Sequence, residues 1–235
     1  MDVIHLLILK LLLKMTLRMV RDQSAVNELS LYKLLTGYAD VSIATIYRKI
    51  TDLITWGYIV RVNKNHYLIT TKGLVTMSLL CVNKNINDDE ICHDTILLLK
   101  HEWNLDEFND ENIKAYLKLL TIRALSEGLD PLQVLPSLNF PRSVLLLLPN
   151  NFHYMNSKTM LELLIEEVGN RELIMMAQGI IAKAFMSLLP ITTLNDGCRA
   201  VTVSDKVIAL KCRVRGYTLD SRCPMLMKLK MNSKS

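Results

Sequence analysis

The chain holds few of the residues that mark loops and covalent staples. Eight Gly and six Pro among 235 residues are too few for a collagen-like, linker-like or loop-dominated chain. Five Cys (Cys81, Cys92, Cys198, Cys212 and Cys223) make an odd number with no CxxC spacing, which argues against a disulfide framework or a four-ligand zinc site. Reduced, mostly buried thiols in the cytoplasm are expected instead. Aromatics make up only 6%, while Leu, Ile and Met abound, a balance that leans helical. No uninterrupted apolar run approaches the ~20 residues of a membrane helix. Lys10, Lys14 and Arg18 interrupt the Leu-rich opening, and a secretory signal would carry its charges before the apolar stretch. GxSxG, P-loop, GxGxxG and HExxH patterns are all missing, so no catalytic activity, cofactor, metal or membrane partner is expected.

What is present is a hydrophobic half, 50%, against 22% charged residues. That is enough apolar material to bury a core, and it excludes an intrinsically disordered chain. The length predicts one or two domains. Charge is unevenly spread. Residues 1–85 carry eleven Lys/Arg against five Asp/Glu, residues 86–200 nine against sixteen, and residues 201–235 eight against two. A basic front is the footprint of a polyanion-binding surface. The acidic middle predicts a different surface with a different partner.

Periodicity divides the front further. Residues 1–20 read as a helix whose Lys10, Lys14 and Arg18 share one wet face. Residues 26–37 read as a short helix stopped by Gly37. Ser42 is an N-cap, and a helix runs to Trp56 with Ile43, Ile46, Ile50, Leu53 and Ile54 at the spacing of a buried face. After Gly57 the period shortens. Residues 58–62 and 66–70 read as two strands around Asn63-Lys64-Asn65, and a helix over about 72–82 follows.

Helix, short helix, helix, hairpin, helix within some eighty residues is the order of a winged helix-turn-helix. The helix over 42–56 must bury one face and turn a polar one outward to enter a major groove. Ser42, Thr45, Arg48, Lys49 and Asp52 supply the outward groups. Arg48 and Lys49 suit guanine edges or phosphates, and Arg61, Lys64 and His66 lie near the hairpin tip. The run Ser42-Ile43-Ala44-Thr45-Ile46-Tyr47-Arg48-Lys49-Ile50, with Leu53, Gly57-Tyr58-Ile59, Tyr67-Leu68-Ile69-Thr70 and Lys72-Gly73, resembles the PadR-like branch of winged-helix regulators and the related MarR group. The likeness spans about residues 28–80. It implies a homodimer that sets two recognition helices in successive major grooves. It also implies double-stranded DNA contacts from Ser42, Ala44, Thr45, Tyr47, Arg48, Lys49, Arg61, Lys64, Asn65 and His66.

The polar, Asn-rich stretch 82–89 predicts a boundary, giving domains 1–83 and 84–235. Beyond it, helices are expected over about 88–103, 109–127, 130–137, 141–148, 157–168 and 170–188, then a hairpin over about 198–217. The fold class is therefore mainly α, a winged helix-turn-helix followed by a helical domain ending in a β-hairpin. Asp88, Asp89 and Glu90, with Cys92, His93 and His101, are candidate metal ligands, but acidic residues at a helix start are ordinary dipole partners. Glu162, Glu166 and Glu167 read as a solvated face. Lys211, Arg213 and Arg215 alternate along one strand and read as a second nucleic-acid contact or simply a wet face. The sequence predicts a cytoplasmic, dimeric, sequence-specific DNA-binding regulator of transcription. The alternative is a scaffolding protein whose winged helix docks a protein, and the acidic domain offers a surface for such a partner.

Overall fold

A computed structural model describes residues 1–22, 41–63, 66–149, 158–194, 198–203, 206–212 and 215–220, with the backbone alone at 18–22, 63, 66 and 206. The chain is mainly helical with two small antiparallel sheets. It forms two compact units that meet in sequence between Asn104 and Leu105. Among the described residues, no helix is long and apolar enough to cross a membrane.

The first unit is built from α1 (Val3–Asp22), α2 (Ile43–Thr55), the hairpin β1 (Ile59–Asn63) and β2 (His66–Ile69), α3 (Thr71–Val82) and α4 (Asp89–Glu102). The helix expected over 26–37 lies outside the described residues. α3, apolar but for Thr76 and Ser78 over this stretch, is buried on every side from Gly73 to Leu80. The Thr70-Thr71-Lys72-Gly73 run locks it to its neighbours. The Thr70 hydroxyl caps α3 by accepting from Gly73 N–H (3.1 Å) and donates towards the carbonyls of Gly57 (2.7 Å) and Tyr58 (3.1 Å). Lys72 Nζ donates to the Trp56 carbonyl at 2.8 Å. A Cβ on Gly73 would lie 2.4 Å from the Tyr58 carbonyl oxygen, so glycine is what lets α3 sit against the hairpin. Gly57 ends α2 at φ +75°, a conformation open to glycine.

Two expectations about this unit need correction. The polar stretch 82–89 is a tight turn, and α4 belongs with the first unit, so the division falls some twenty residues later than expected. The wet face of α1 explains why: Lys10 and Lys14 pair with Asp88 and Glu90 at 3.5 Å each, fastening the start of α4 to α1. The thiols expected to be reduced are not all so. Cys81, in the last turn of α3, is bonded to Cys92, in the first turn of α4, with Cα atoms 5.5 Å apart. The antiparallel hairpin of α3 and α4 brings together two cysteines that no short motif connects.

The second unit comprises α5 (Asp110–Ser126), α6 (Pro131–Leu138), a 3-10 turn (Arg142–Leu147), α7 (Met160–Val168), α8 (Arg171–Leu188) and the strands β3 (Ile191–Thr193), β4 (Arg199–Val203), β5 (Lys206–Cys212) and β6 (Gly216–Thr218). α5 and α8 pack along each other, burying Ile113, Tyr116, Leu117, Ile180, Ile181 and Phe185. Tyr116, fully buried, shares a 2.9 Å hydrogen bond with Ser143, and burial pushes its hydroxyl well above the usual tyrosine range. The run 141–148, expected as a helix, is a 3-10 helix of six residues. Glu167 is not on a solvated face: it pairs at 3.3 Å with Arg123, which also donates to the carbonyls of Leu146 and Leu148. The terminal hairpin is part of a four-stranded sheet in the order β3-β4-β5-β6. The stretch 206–217, read as one strand, breaks in two. Arg215 lies in the turn and pairs with Asp220, so Lys211 and Arg215 do not share a strand face. Arg213 lies outside the described residues.

Candidate nucleic-acid interface

α2 carries most of the residues singled out by the sequence, and its geometry sorts them. Ser42 caps it, its hydroxyl accepting from Thr45 N–H at 3.2 Å, which meets one of the unpaired amides of the first turn. Ile46, Ile50 and Leu53 are buried and anchor the helix. At 3.6 residues per turn, the stripe opposite them is Ala44, Arg48, Thr51 and Thr55, all exposed. Tyr47 lies beside this stripe, 54% exposed.

The two shoulders of the stripe differ. One is apolar: Ile43 and Ile54, expected inside, are 57% and 38% exposed, because the buried seam centres on Ile46, Ile50 and Leu53 and leaves them at its margin. The other shoulder is closed by α1. Lys49 Nζ binds Asp2 Oδ2 at 2.5 Å, and its side chain is only 15% exposed. His5, buried in α1, lies between Asp2 Oδ1 (2.9 Å) and Asp52 Oδ2 (3.4 Å), with its ring 4.8 Å from that of Trp56. Lys49 and Asp52 therefore face this clamp rather than open solvent. The hydrogen bond from Lys49, together with the His5 amide and the nearby positive charges, outweighs desolvation and holds the Asp2 carboxyl well below the usual carboxylate range.

The hairpin contributes less that can be placed. Arg61 is exposed, with its guanidinium 6.0 Å from the centre of the Tyr67 ring. Lys64 and Asn65 lie outside the described residues. His66 opens β2 opposite Asn63, across an irregularity in the register. On the far face of β1, Val60 and Val62 are exposed. The structure thus leaves Ala44, Tyr47 and Arg48 exposed on the outer side of α2, makes Ser42 its N-cap, puts the half-buried Thr45 on the shoulder of Lys49 and Asp52, and assigns Lys49 to a structural clamp. Sequence reasoning missed Thr51, although its position three after Arg48 and seven after Ala44 put it on the same stripe. It also missed Asp2 and His5, which carry no local signal because their partners lie some fifty residues away.

Elsewhere in this unit a shallow groove of about 430 Å³ runs between α1 and the α3–α4 turn, with Leu6, Leu7 and Ile86 among its lining and Lys10 and Asp88 at its rim. Among the described residues, no three His, Cys, Asp or Glu side chains converge as a metal site would require. Compared with protein-family models, curated proteins and solved structures, the chain finds no match.

Proposed function

We propose that the first unit is a winged helix-turn-helix module, of the kind found in PadR-like regulators, that sets α2 into the major groove of double-stranded DNA. The observation that carries this reading is the exposed stripe Ala44, Arg48, Thr51 and Thr55, with Tyr47 beside it, on a helix anchored from behind by Ile46, Ile50 and Leu53. A recognition helix needs both features, since direct readout requires side chains at fixed positions over base edges. Arg48 fits guanine O6 and N7, Ala44 the thymine methyl, and Thr51 either base type or phosphate. The clamp of Asp2, Lys49, His5 and Asp52 fixes the rotation of α2 and keeps its outer face turned away from α1. The β1–β2 hairpin serves as the wing, with Arg61 on the backbone. A homodimer would present two such helices to half-sites about one helical turn apart. The biological role would be cytoplasmic transcription regulation.

The test is a fluorescence-anisotropy titration of the full chain against duplex DNA at low and at physiological salt, first with random sequence and then with a selected site. Binding that is micromolar or tighter and falls steeply with salt is expected. Arg48→Ala should cost about 1–3 kcal/mol on the selected site and relax preference at one base pair. Lys49→Ala is unsuitable as a contact probe because Lys49 holds Asp2. A folded protein that binds no duplex at low salt overturns the proposal.

One observation favours a second reading. Ile43 and Ile54 form an apolar shoulder beside the stripe, and apolar exposure of this kind marks protein interfaces more than DNA contacts. Under that reading the module docks a protein, Arg48→Ala has little effect, and Ile43→Ser abolishes partner binding.

A further inference from the structure

The sheet of the second unit contains a local arrangement that stability alone does not favour. Thr193 pairs with Arg199, Arg199 with Lys211, and Lys211 with Tyr217. Residues directly opposite on neighbouring strands project to the same face, so these four side chains make one row across all four strands. The first three are exposed and Tyr217 is half-buried. Arg199 and Lys211 are like charges placed directly opposite, an arrangement that destabilises a sheet. Among the described residues, neither forms an ion pair with a carboxylate.

The row gains a third cation from α8. Lys183 lies 5.9 Å from the centre of the Tyr217 ring, while Lys211 lies 4.6 Å from the same centre and donates to its hydroxyl at 2.9 Å. Phe108, 6.1 Å from Tyr217, packs where Gly179 leaves α8 bare: a Cβ there would lie 2.7 Å from the Phe108 ring. Glu107 binds Lys183 at 2.7 Å. Burial raises the Glu107 carboxyl, but the Lys183 hydrogen bond and the charges of Lys183 and Lys211 outweigh it and hold it below its ordinary value. Two lysines therefore lie against one tyrosine, Lys183 carrying its Glu107 carboxylate, and Arg199 continues the row one strand beyond Lys211. No sequence window shows them together.

We propose that the Arg199–Lys211 pair, with Lys183 and Tyr217, is a binding site for the phosphodiester backbone of a nucleic acid. The ligand is read by charge rather than by base. Successive phosphates of one strand accept from Arg199 and Lys211, which are one strand spacing apart in the sheet, and Tyr217 holds the lysine ammonium groups in place by cation–π contact. Two like charges that oppose each other in the free protein then share one anionic partner, so binding relieves the repulsion. The site is a separate claim from base readout by α2 and does not depend on it.

The test uses the full chain with two probes, a short labelled duplex and an oligothymidylate, each titrated over a range of salt. Arg199→Ala, Lys211→Ala and the double variant are compared with the parent and with Arg48→Ala. Each loss of a cation should weaken binding several-fold and reduce the salt slope by about 0.9 on duplex or about 0.7 on single strand. Arg48→Ala should leave oligothymidylate binding unchanged. Because the pair is repulsive, Arg199→Ala should also raise the melting temperature while it weakens binding, a combination that simple loss of folding cannot give. An unchanged salt slope in the double variant overturns this site even if Arg48→Ala abolishes duplex binding. Loss of binding in the double variant with no effect of Arg48→Ala supports this site and removes the α2 reading. Binding of neither probe at low salt overturns the site.

Discussion

Gly73 allows the packing of the first unit to be tested by sign rather than by size. It lies inside α3, where alanine is the better helix former by about 1 kcal/mol. On propensity alone, Gly73→Ala should stabilise the protein. The structure predicts the reverse. The added Cβ would sit 2.4 Å from the Tyr58 carbonyl oxygen and 2.8 Å from Ile69 Cγ1. Since the nearer atom belongs to the backbone, the helix and hairpin must part by about 1 Å to reach ordinary contact. Overpacking of this kind costs about 1–3 kcal/mol. The same shift stretches the bonds from Thr70 N–H (3.0 Å) and Thr70 Oγ1 (3.1 Å) to the Tyr58 carbonyl, each worth about 1 kcal/mol. Against the propensity gain, the net is a loss of about 1–3 kcal/mol. Both tryptophans, Trp56 and Trp103, lie in the first unit, so urea unfolding followed by tryptophan fluorescence reports this unit. The midpoint should fall by about 1 M. Ser78→Ala, five residues along the same helix, supplies the opposite sign. The Ser78 hydroxyl is buried without a hydrogen-bond partner among the described residues, so its removal should stabilise by about 1 kcal/mol. A midpoint that rises for Gly73→Ala would refute the close approach of α3 to the hairpin.

Two further tests use the same fluorescence signal. The Cys81–Cys92 bond closes a loop over a separation of 11 residues, so reduction or Cys81→Ser should cost the first unit about 3 kcal/mol by loop entropy; coincident unfolding curves with and without reductant would contradict the pairing. The Asp2 carboxyl is held below its ordinary value chiefly by the Lys49 hydrogen bond, and a depressed folded value makes its contribution present above the unfolded pKa of about 4 and lost as pH falls towards the folded one. Asp2→Asn should therefore flatten the loss of stability below about pH 4. An acid limb of the same steepness in both proteins would show that the clamp does not form.

Local rules made much of the fold legible. Ser42 and Gly57 punctuate the chain where their backbone chemistry requires, and the change from helical to strand period at residue 58 marks the hairpin. What stayed hidden depends on partners distant in sequence. The 82–89 stretch has linker composition, but whether it separates two units depends on Lys10 and Lys14 seventy and more residues earlier. The Cys81–Cys92 pairing depends on two helices folding back on each other. Lys49 looks like Arg48 in sequence, yet one turns to Asp2 and the other to solvent, because a helix side is chosen by its neighbours. The face of α2 was legible from the spacing of Ile46, Ile50 and Leu53. Its apolar shoulder was not, since Ile43 and Ile54 satisfy the same spacing rule at its margin.

The chain's departures from local preference fall into two kinds. Gly73 in the first turn of α3, the buried His5 and the pair Lys10 and Lys14 of α1 each meet an answering group within the fold: the Tyr58 carbonyl, the Asp2 and Asp52 carboxylates, and Asp88 with Glu90. These departures are structural, and substituting them should damage stability first. Arg48 on the outer stripe of α2, and Arg199 opposite Lys211, have no carboxylate partner among the described residues. A charge kept exposed costs little, but a like-charge pair kept in cross-strand register is unfavourable to the free protein. Such positions gain from an external anion, and substituting them should weaken binding without loss of stability. If Lys49→Ala proved as harmless to folding as Arg48→Ala, or if Arg199→Ala destabilised the sheet, the division would fail, and the assignment of both faces to nucleic acid would fail with it.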